Sequence, residues 1–124
     1  MARILVVDDE LQMRQMLRQA LECRGHTIDE AADGREALRH FDRQRPDLVI
    51  TDLVMPEKEG IETIQALRRK CPEIPIIAIS GGGRVGPENY LAMAGQMGAN
   101  RTFAKPFHVD EILTAVRDLT TKST

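Results

Sequence analysis

The sequence lacks the features that mark membrane-spanning and secreted proteins. Its apolar runs are only a few residues long, far short of the roughly 20 that a membrane span requires. The opening Met1-Ala2-Arg3-Ile4 enters an apolar segment at once and leaves no room for a signal-peptide core. We therefore expect a cytoplasmic protein without a membrane partner.

Cysteine and an excess of positive charge are also scarce. The two cysteines, Cys23 and Cys71, form no CxxC pair and have no nearby histidine at metal-ligand spacing, so reduced thiols are expected. The net charge is -2, and the only basic run, at residues 68–70, suits the carboxyl end of a helix. Because nucleic-acid binding needs a clustered basic excess, we expect no direct nucleic-acid partner.

The 124 residues of the chain alternate between two kinds of pattern. Short runs rich in Val and Ile predict buried strands, and apolar residues at helical spacing after each run predict helices. Such runs predict strands at residues 4–7, 47–52 and 74–79, and weaker patterns predict a second strand at 27–31 and a short fifth strand at 101–104. The helices carry apolar stripes that include Met16 and Leu17, Ala37, Ile64, Leu91 and Val116. Since parallel neighbours need helical crossovers, this order predicts one α/β domain over residues 1–124, with helices on both faces of a parallel sheet.

Acids follow two of the predicted strands directly. Asp52 ends the third strand, and Pro56 stiffens the loop after it. The run Asp8-Asp9-Glu10 follows the first strand, where it can also cap the next helix. Because ligands of open α/β sheets gather at the carboxyl ends of the strands, both groups are candidates for a functional site.

A parallel sheet with its first, third, fourth and fifth strands side by side would bring five polar side chains to one edge: Asp8, Asp9, Asp52, Ser80 and Lys105. Two carboxylates 4 Å apart repel by ~4 kcal/mol at an effective dielectric of 20, so the cluster needs cations. Lys105 and Mg²⁺ are the candidates, since oxygen ligands favour Mg²⁺ over zinc. This set suits phosphoryl transfer to Asp52 as nucleophile, with Asp8 and Asp9 on the metal. Taken singly, Ser80 could equally start a turn and Lys105 could be a solvated amine.

These residues resemble those of the receiver domains of two-component response regulators. The resemblance runs from Asp8-Asp9-Glu10, through the segment 52–56 and Gly60, to Ser80 and Lys105-Pro106-Phe107, and covers nearly the whole chain. It implies a flavodoxin-like, doubly wound sheet of five parallel strands in the order 2-1-3-4-5, with five helices.

The resemblance also implies roles for single residues. Asp52 would accept a phosphoryl group from a sensor histidine kinase or a histidine phosphotransfer protein, Ser80 and Lys105 would bind that group, and the Lys105-Pro106 bond would be cis. The implied Mg²⁺ ligands are Asp8, Asp9, Asp52 and the backbone carbonyl of Val54. A downstream target would bind the face made by the fourth helix, the fifth strand and the fifth helix. Such a domain is no enzyme beyond its own phosphorylation and slow dephosphorylation.

The sequence departs from the receiver pattern at two places. Receivers usually carry Tyr or Phe three residues before the lysine, and Thr102 stands there; Phe103 is next and, by strand alternation, faces the other side of the sheet. The glycine-rich segment 81–87 is a few residues longer than the common form. We expect any conformational signal to pass through Ser80 and this segment.

Three other functions remain as alternatives. The segment Gly81-x-Gly83-x-x-Gly86 matches a dinucleotide fingerprint, but it follows the fourth strand and lacks the acid expected about 20 residues later. A Mg²⁺-dependent aspartyl phosphatase of the haloacid dehalogenase type needs an Asp-x-Asp pattern on its first strand, which Asp8-Asp9-Glu10 does not match. The third is an interaction module that works without phosphorylation. The polar tail after the last helix favours a stand-alone regulator, and a fragment of a longer one stays open.

Overall fold

The computed structural model describes residues 2–52, 59–80, 98–105 and 107–120, without the side chains of 59–61. Its strands are β1 Arg3–Val7, β2 Thr27–Ala31, β3 Leu48–Asp52, β4 Ile76–Ser80 and β5 Arg101–Ala104. Its helices are α1 Leu11–Glu22, α2 Gly34–Arg43, α3 Glu59–Lys70 and a C-terminal helix, Val109–Thr120. The predicted helix that contains Leu91 lies outside the described residues. None of the described helices is both long enough and apolar enough to cross a bilayer.

The five strands form one parallel sheet in the order β2-β1-β3-β4-β5, which confirms the predicted fold class. Val7 aligns with Thr51 on β3, and Asp52 aligns with Ile79 on β4. On the far side of β4, Ser80 aligns with Ala104 of β5. The carboxyl ends of β1, β3, β4 and β5 therefore lie side by side, as the site prediction requires.

Two apolar cores cover the two faces of the sheet because successive side chains of a strand point to opposite sides. β3 and β4 are buried throughout, as their apolar runs predict. One core joins the sheet to α2 and α3 and includes Val49, Ile76, Phe41, Ile64 and Leu67. The other joins it to α1 and the C-terminal helix and includes Ile50, Ile77, Leu17, Leu21 and Val116. Met16, one of the apolar residues whose spacing predicted α1, is 38% exposed and does not join this core.

The ends of α1 and α2 follow local sequence signals. Past the end of α1, Gly25 adopts a φ of 90°, and the His26 N–H donates to the Leu21 carbonyl at 3.2 Å. At the start of α2, the Asp33 side chain accepts a hydrogen bond from the Glu36 N–H at 2.8 Å. The end of α1 and the start of α2 both come from short-range chemistry that the sequence displays.

Arg68 joins α3 to the segment that precedes β5, at the edge of the sheet opposite the acids. Its guanidinium donates to the Gly98 carbonyl at 2.6 and 3.0 Å and to the Asn100 side-chain oxygen at 2.7 Å. It also donates to the Pro72 carbonyl at 3.1 Å and to the Ile74 carbonyl. Burial lowers the pKa of Arg68 from its usual value. One planar cation therefore ties the end of α3 and the turn that follows it to a segment 30 residues later in the sequence.

Candidate functional site

Asp8 and Asp52 occupy the carboxyl ends of two neighbouring strands, β1 and β3. Their residues are only 2% and 3% exposed, although both carry carboxyl groups. The Asp8 Oδ1 accepts a hydrogen bond from the Glu10 N–H at 2.8 Å, and the Asp8 N–H donates to the Ala31 carbonyl at 3.1 Å. Buried carboxylates need compensating partners, so this edge of the sheet depends on a cation.

Lys105 supplies a positive charge to three acids. Its Nζ lies 3.3 Å from Asp52 Oδ2, 3.6 Å from Asp8 Oδ2 and 3.3 Å from Glu10 Oε1. The backbone N–H of Lys105 donates to the Ser80 carbonyl at 2.7 Å. This bond holds Lys105 beside the carboxyl end of β4. The side chain of Lys105 is 18% exposed, so its ammonium group is only partly solvated.

The pKa values of Asp8 and Lys105 are both raised, with opposite consequences for their charge. Burial raises the pKa of Asp8 to about 6; repulsion from Asp52 adds to this, and the Glu10 N–H and Lys105 oppose it. Burial alone would lower the pKa of Lys105, but attraction to Asp52 and Asp8 outweighs it, and the net shift is upward. At neutral pH the site therefore holds a firmly charged ammonium beside a carboxylate that ionises reluctantly.

The carboxylates lie close enough to share a metal ion. Asp8, Glu10 and Asp52 each offer one oxygen, and these oxygens lie within 4.8 Å of one another. An all-oxygen set of this kind fits Mg²⁺, which prefers carboxylates and water. Asp9, predicted as a ligand, is exposed and does not belong to this group of three. Val54, whose carbonyl was predicted to complete the set, lies outside the described residues.

Ser80 has a buried hydroxyl that lacks a hydrogen-bond partner in the described part of the chain. The residue is completely buried, and its Oγ is the orphaned atom. An unsatisfied buried hydroxyl costs about 1–3 kcal/mol, so such atoms tend to mark the place of a ligand. The position of Ser80 at the end of β4, beside the end of β3, suits a ligand held near Asp52.

Thr102 and Phe103 face opposite sides of the sheet, as strand alternation predicted. Phe103 packs on the core shared by α1 and the C-terminal helix, whereas Thr102 aligns with Ala78, a member of the opposite core. Pro106 lies outside the described residues, so the cis bond predicted before it stays a prediction.

Two contributors to the site were missed by the sequence prediction. Glu10 was treated as a helix cap, but its side chain makes no cap hydrogen bond and contacts Lys105 instead. Arg14 was not considered, although its guanidinium reaches the Asp8 carbonyl. The sequence signal that could have revealed the role of Arg14 is the pair of acids Asp29 and Glu30 in β2. Both are half-buried, and charges inside a strand require partners.

Comparison with known proteins identifies the class to which this site belongs. The family model for the response regulator receiver domain matches residues 4–117. The chain therefore belongs to the response regulator receiver domain family, the signalling domain of two-component systems.

Individual relatives agree with this assignment. The chain is 37% identical, over 123 residues, to the response regulator MprA of Mycolicibacterium vanbaalenii, a match that covers 98% of this chain and 52% of that protein. The receiver domain of NtrX from Brucella abortus superposes with a TM-score of 0.88 at 29% identity, over 97% of this chain and 99% of that one. The chemotaxis protein CheY4 of Vibrio cholerae gives a TM-score of 0.83 at 32% identity, over 96% and 98%. The chain spans about half the length of the curated relatives it matches.

Proposed function

We propose that Asp52 accepts a phosphoryl group from a sensor histidine kinase or a histidine phosphotransfer protein in a Mg²⁺-dependent reaction. The observation that carries the proposal is the placement of Lys105 Nζ 3.3 Å from Asp52 Oδ2, within a buried group that includes Asp8. Family membership supports the same reading, because it makes phosphotransfer the expected use of an acid at the end of β3.

In the proposed reaction a carboxylate oxygen of Asp52 attacks the phosphorus atom of a phosphohistidine. A new O–P bond forms, the P–N bond breaks, and the imidazole of the donor leaves with the electron pair. Lys105 neutralises charge on the phosphoryl oxygens, and the unpartnered hydroxyl of Ser80 donates a hydrogen bond to one of them.

The proposed metal ligands are Asp8, Asp9, Asp52 and the backbone carbonyl of Val54. When bound there, Mg²⁺ supplies positive charge to the phosphoryl oxygens. The oxygens of Asp8, Glu10 and Asp52 support a site of this kind, and Glu10 is a candidate to contribute to it beside Asp9. The ligand set is a proposal that a metal titration can test.

The test is to incubate the protein with Mg²⁺ and acetyl phosphate and to map the modified residue by mass spectrometry. We expect one phosphoryl group on Asp52, no label in the Asp52→Asn variant and none when EDTA removes the metal. Asp42→Asn is the matched control, because Asp42 is exposed on α2 and pairs only with Lys70 among the described residues. Label on another residue, or none in excess Mg²⁺, would refute the proposal. Steady turnover of small phosphate esters would identify a phosphatase instead.

We further propose that phosphorylation changes the conformation between Ser80 and Lys105 and that a downstream target binds the face formed by the predicted fourth helix, β5 and the C-terminal helix. The protein would act in the cytoplasm as a signalling domain, without nucleic acid or membrane as a direct partner. The test compares NMR spectra with and without a beryllofluoride mimic of the phosphoryl group. Unchanged resonances over residues 80–105 would exclude this route.

A further inference from the structure

We infer that Arg14 is a positioning residue that holds the acidic segment Asp8-Asp9-Glu10 in the geometry needed for metal binding. The inference rests on the proposed function, because it assigns a task to a residue that touches neither the phosphoryl group nor the metal ligand atoms. It starts from an arrangement that the family assignment leaves unexplained: a half-buried guanidinium directed at the backbone of the acidic segment.

Arg14 contacts this segment at both ends. Its Nη1 donates to the Asp8 carbonyl at 2.6 Å, and its backbone N–H makes the ordinary first-turn helical bond to the Glu10 carbonyl at 3.1 Å, so only the first contact depends on the arginine side chain. A charged donor makes a stronger hydrogen bond to a carbonyl than a neutral one does. The segment between the two contacts is therefore fixed relative to the first turn of α1.

The guanidinium is itself held in place by Glu30 on β2. Arg14 Nε lies 2.9 Å from Glu30 Oε1, and the two side chains are only 15% and 21% exposed. Glu30 aligns with Val6 on the neighbouring strand, so β2 supports the loop that follows β1. Burial alone would raise the pKa of Glu30, but the hydrogen bonds from Arg18 and Arg14 outweigh it, and the net shift is downward. Glu30 thus stays ionised at neutral pH and keeps Arg14 anchored.

The sign of the effect on Mg²⁺ binding separates positioning from simple charge. A positive side chain near a cation site repels the cation, so the loss of Arg14 charge alone would strengthen Mg²⁺ binding. The loss of the hydrogen bond to the Asp8 carbonyl would release the acidic segment and weaken Mg²⁺ binding. We expect the second effect to dominate, because loss of an outer partner of a metal site typically weakens affinity by about 10–100-fold.

Arg18 provides a matched control on the same helix. It pairs with the same acid, with Nη1 2.5 Å from Glu30 Oε2, and with Glu22 at 3.1 Å. In the described part of the chain, Arg18 forms ion pairs with Glu22 and Glu30 and with none of the acids at the carboxyl edge of the sheet. Arg18→Met therefore removes the same charge and a contact to Glu30, but leaves the hydrogen bond to Asp8 intact.

The experiment compares Arg14→Met, Arg14→Lys and Arg18→Met with the wild type by amide NMR without metal, by Mg²⁺ titration and by urea unfolding. For Arg14→Met we expect shifted amide resonances at residues 8–10 and a Mg²⁺ dissociation constant raised about tenfold. For Arg18→Met we expect a dissociation constant within about twofold of the wild type, whatever its stability. Arg14→Lys keeps the charge, but its compact ammonium group cannot reproduce the fixed fork geometry of the guanidinium, so affinity should be only partly restored.

Unchanged or tighter Mg²⁺ binding by Arg14→Met would overturn the inference, as would equal weakening by Arg18→Met. If Arg14→Met fails to fold, Arg14→Lys decides: shifted amide resonances at residues 8–10 together with wild-type Mg²⁺ affinity would refute the positioning role. Wild-type protein that binds Mg²⁺ but takes no label on Asp52 would refute the proposed function instead. A difference in Mg²⁺ affinity between the Arg14 and Arg18 variants would still support the positioning role in that case.

Discussion

Replacement of Asp8 by asparagine should stabilise the metal-free protein at neutral pH. The folded-state pKa of Asp8 is about 6, against 3.8 for the ordinary side chain. The unfolded chain therefore loses this proton more easily than the folded one, so stability falls as pH rises from about 4 through about 6. Each pKa unit is worth 1.36 kcal/mol, which sets the upper limit of the loss at about 3 kcal/mol.

Asparagine removes this penalty and keeps an oxygen that can accept the Glu10 N–H. The attraction of Lys105 at 3.6 Å is already contained in the pKa of about 6, so its loss does not reduce the gain further. We expect the free energy of unfolding to rise by about 2 kcal/mol near pH 7.5 in EDTA, or roughly 8 °C in Tm for a chain of this size. Near pH 4 the two proteins should be equally stable.

Urea unfolding at both pH values, with and without Mg²⁺, is the assay. Asp9→Asn is the control, because Asp9 is the exposed neighbour of Asp8, and its stability in EDTA should match that of the wild type. Excess Mg²⁺ should stabilise the wild type and leave Asp8→Asn nearly unchanged. The reasoning would be refuted if Asp8→Asn were less stable than the wild type near pH 7.5. It would also be refuted if the gain in the free energy of unfolding were the same near pH 4 as near pH 7.5. Either result would show that Asp8 ionises without penalty in the folded protein.

Three other substitutions test the contacts of the cations. Lys105→Met should bind Mg²⁺ several-fold more tightly near pH 8, because a competing cation is lost from Asp52. The same variant should accept a phosphoryl group about 100-fold more slowly. Mg²⁺ titration measures the first effect, and the rate of labelling measures the second. Arg68→Met should lower the free energy of unfolding by about 3 kcal/mol in urea, because three carbonyls, of which that of Ile74 belongs to a buried residue, lose a charged donor, and an unchanged midpoint would contradict this. Gly98→Ala should cost about 2 kcal/mol by the same measure, since Gly98 has a φ of 114° and a Cβ there would lie 2.8 Å from Arg68 Nε.

The sequence by itself was sufficient for the architecture. The weaker strand signals at residues 27–31 and 101–104 predicted β2 and β5 with the bounds that the structure has, and the apolar runs of β3 and β4 predicted their complete burial. Gly25 and Asp33 marked helix ends through chemistry confined to neighbouring residues. These features depend on side-chain periodicity and on the chemistry of adjacent residues, and both are readable without knowledge of distant contacts.

The composition of the acidic site depended on the tertiary structure. Which of the consecutive acids Asp8, Asp9 and Glu10 point at Lys105 is set by a short loop, and that loop is held from outside by Arg14 and β2. The raised pKa of Asp8 has the same origin, because it follows from burial and from the charges of residues up to about a hundred positions away. Side-chain direction and desolvation come from contacts between distant segments, and local sequence patterns carry no record of them.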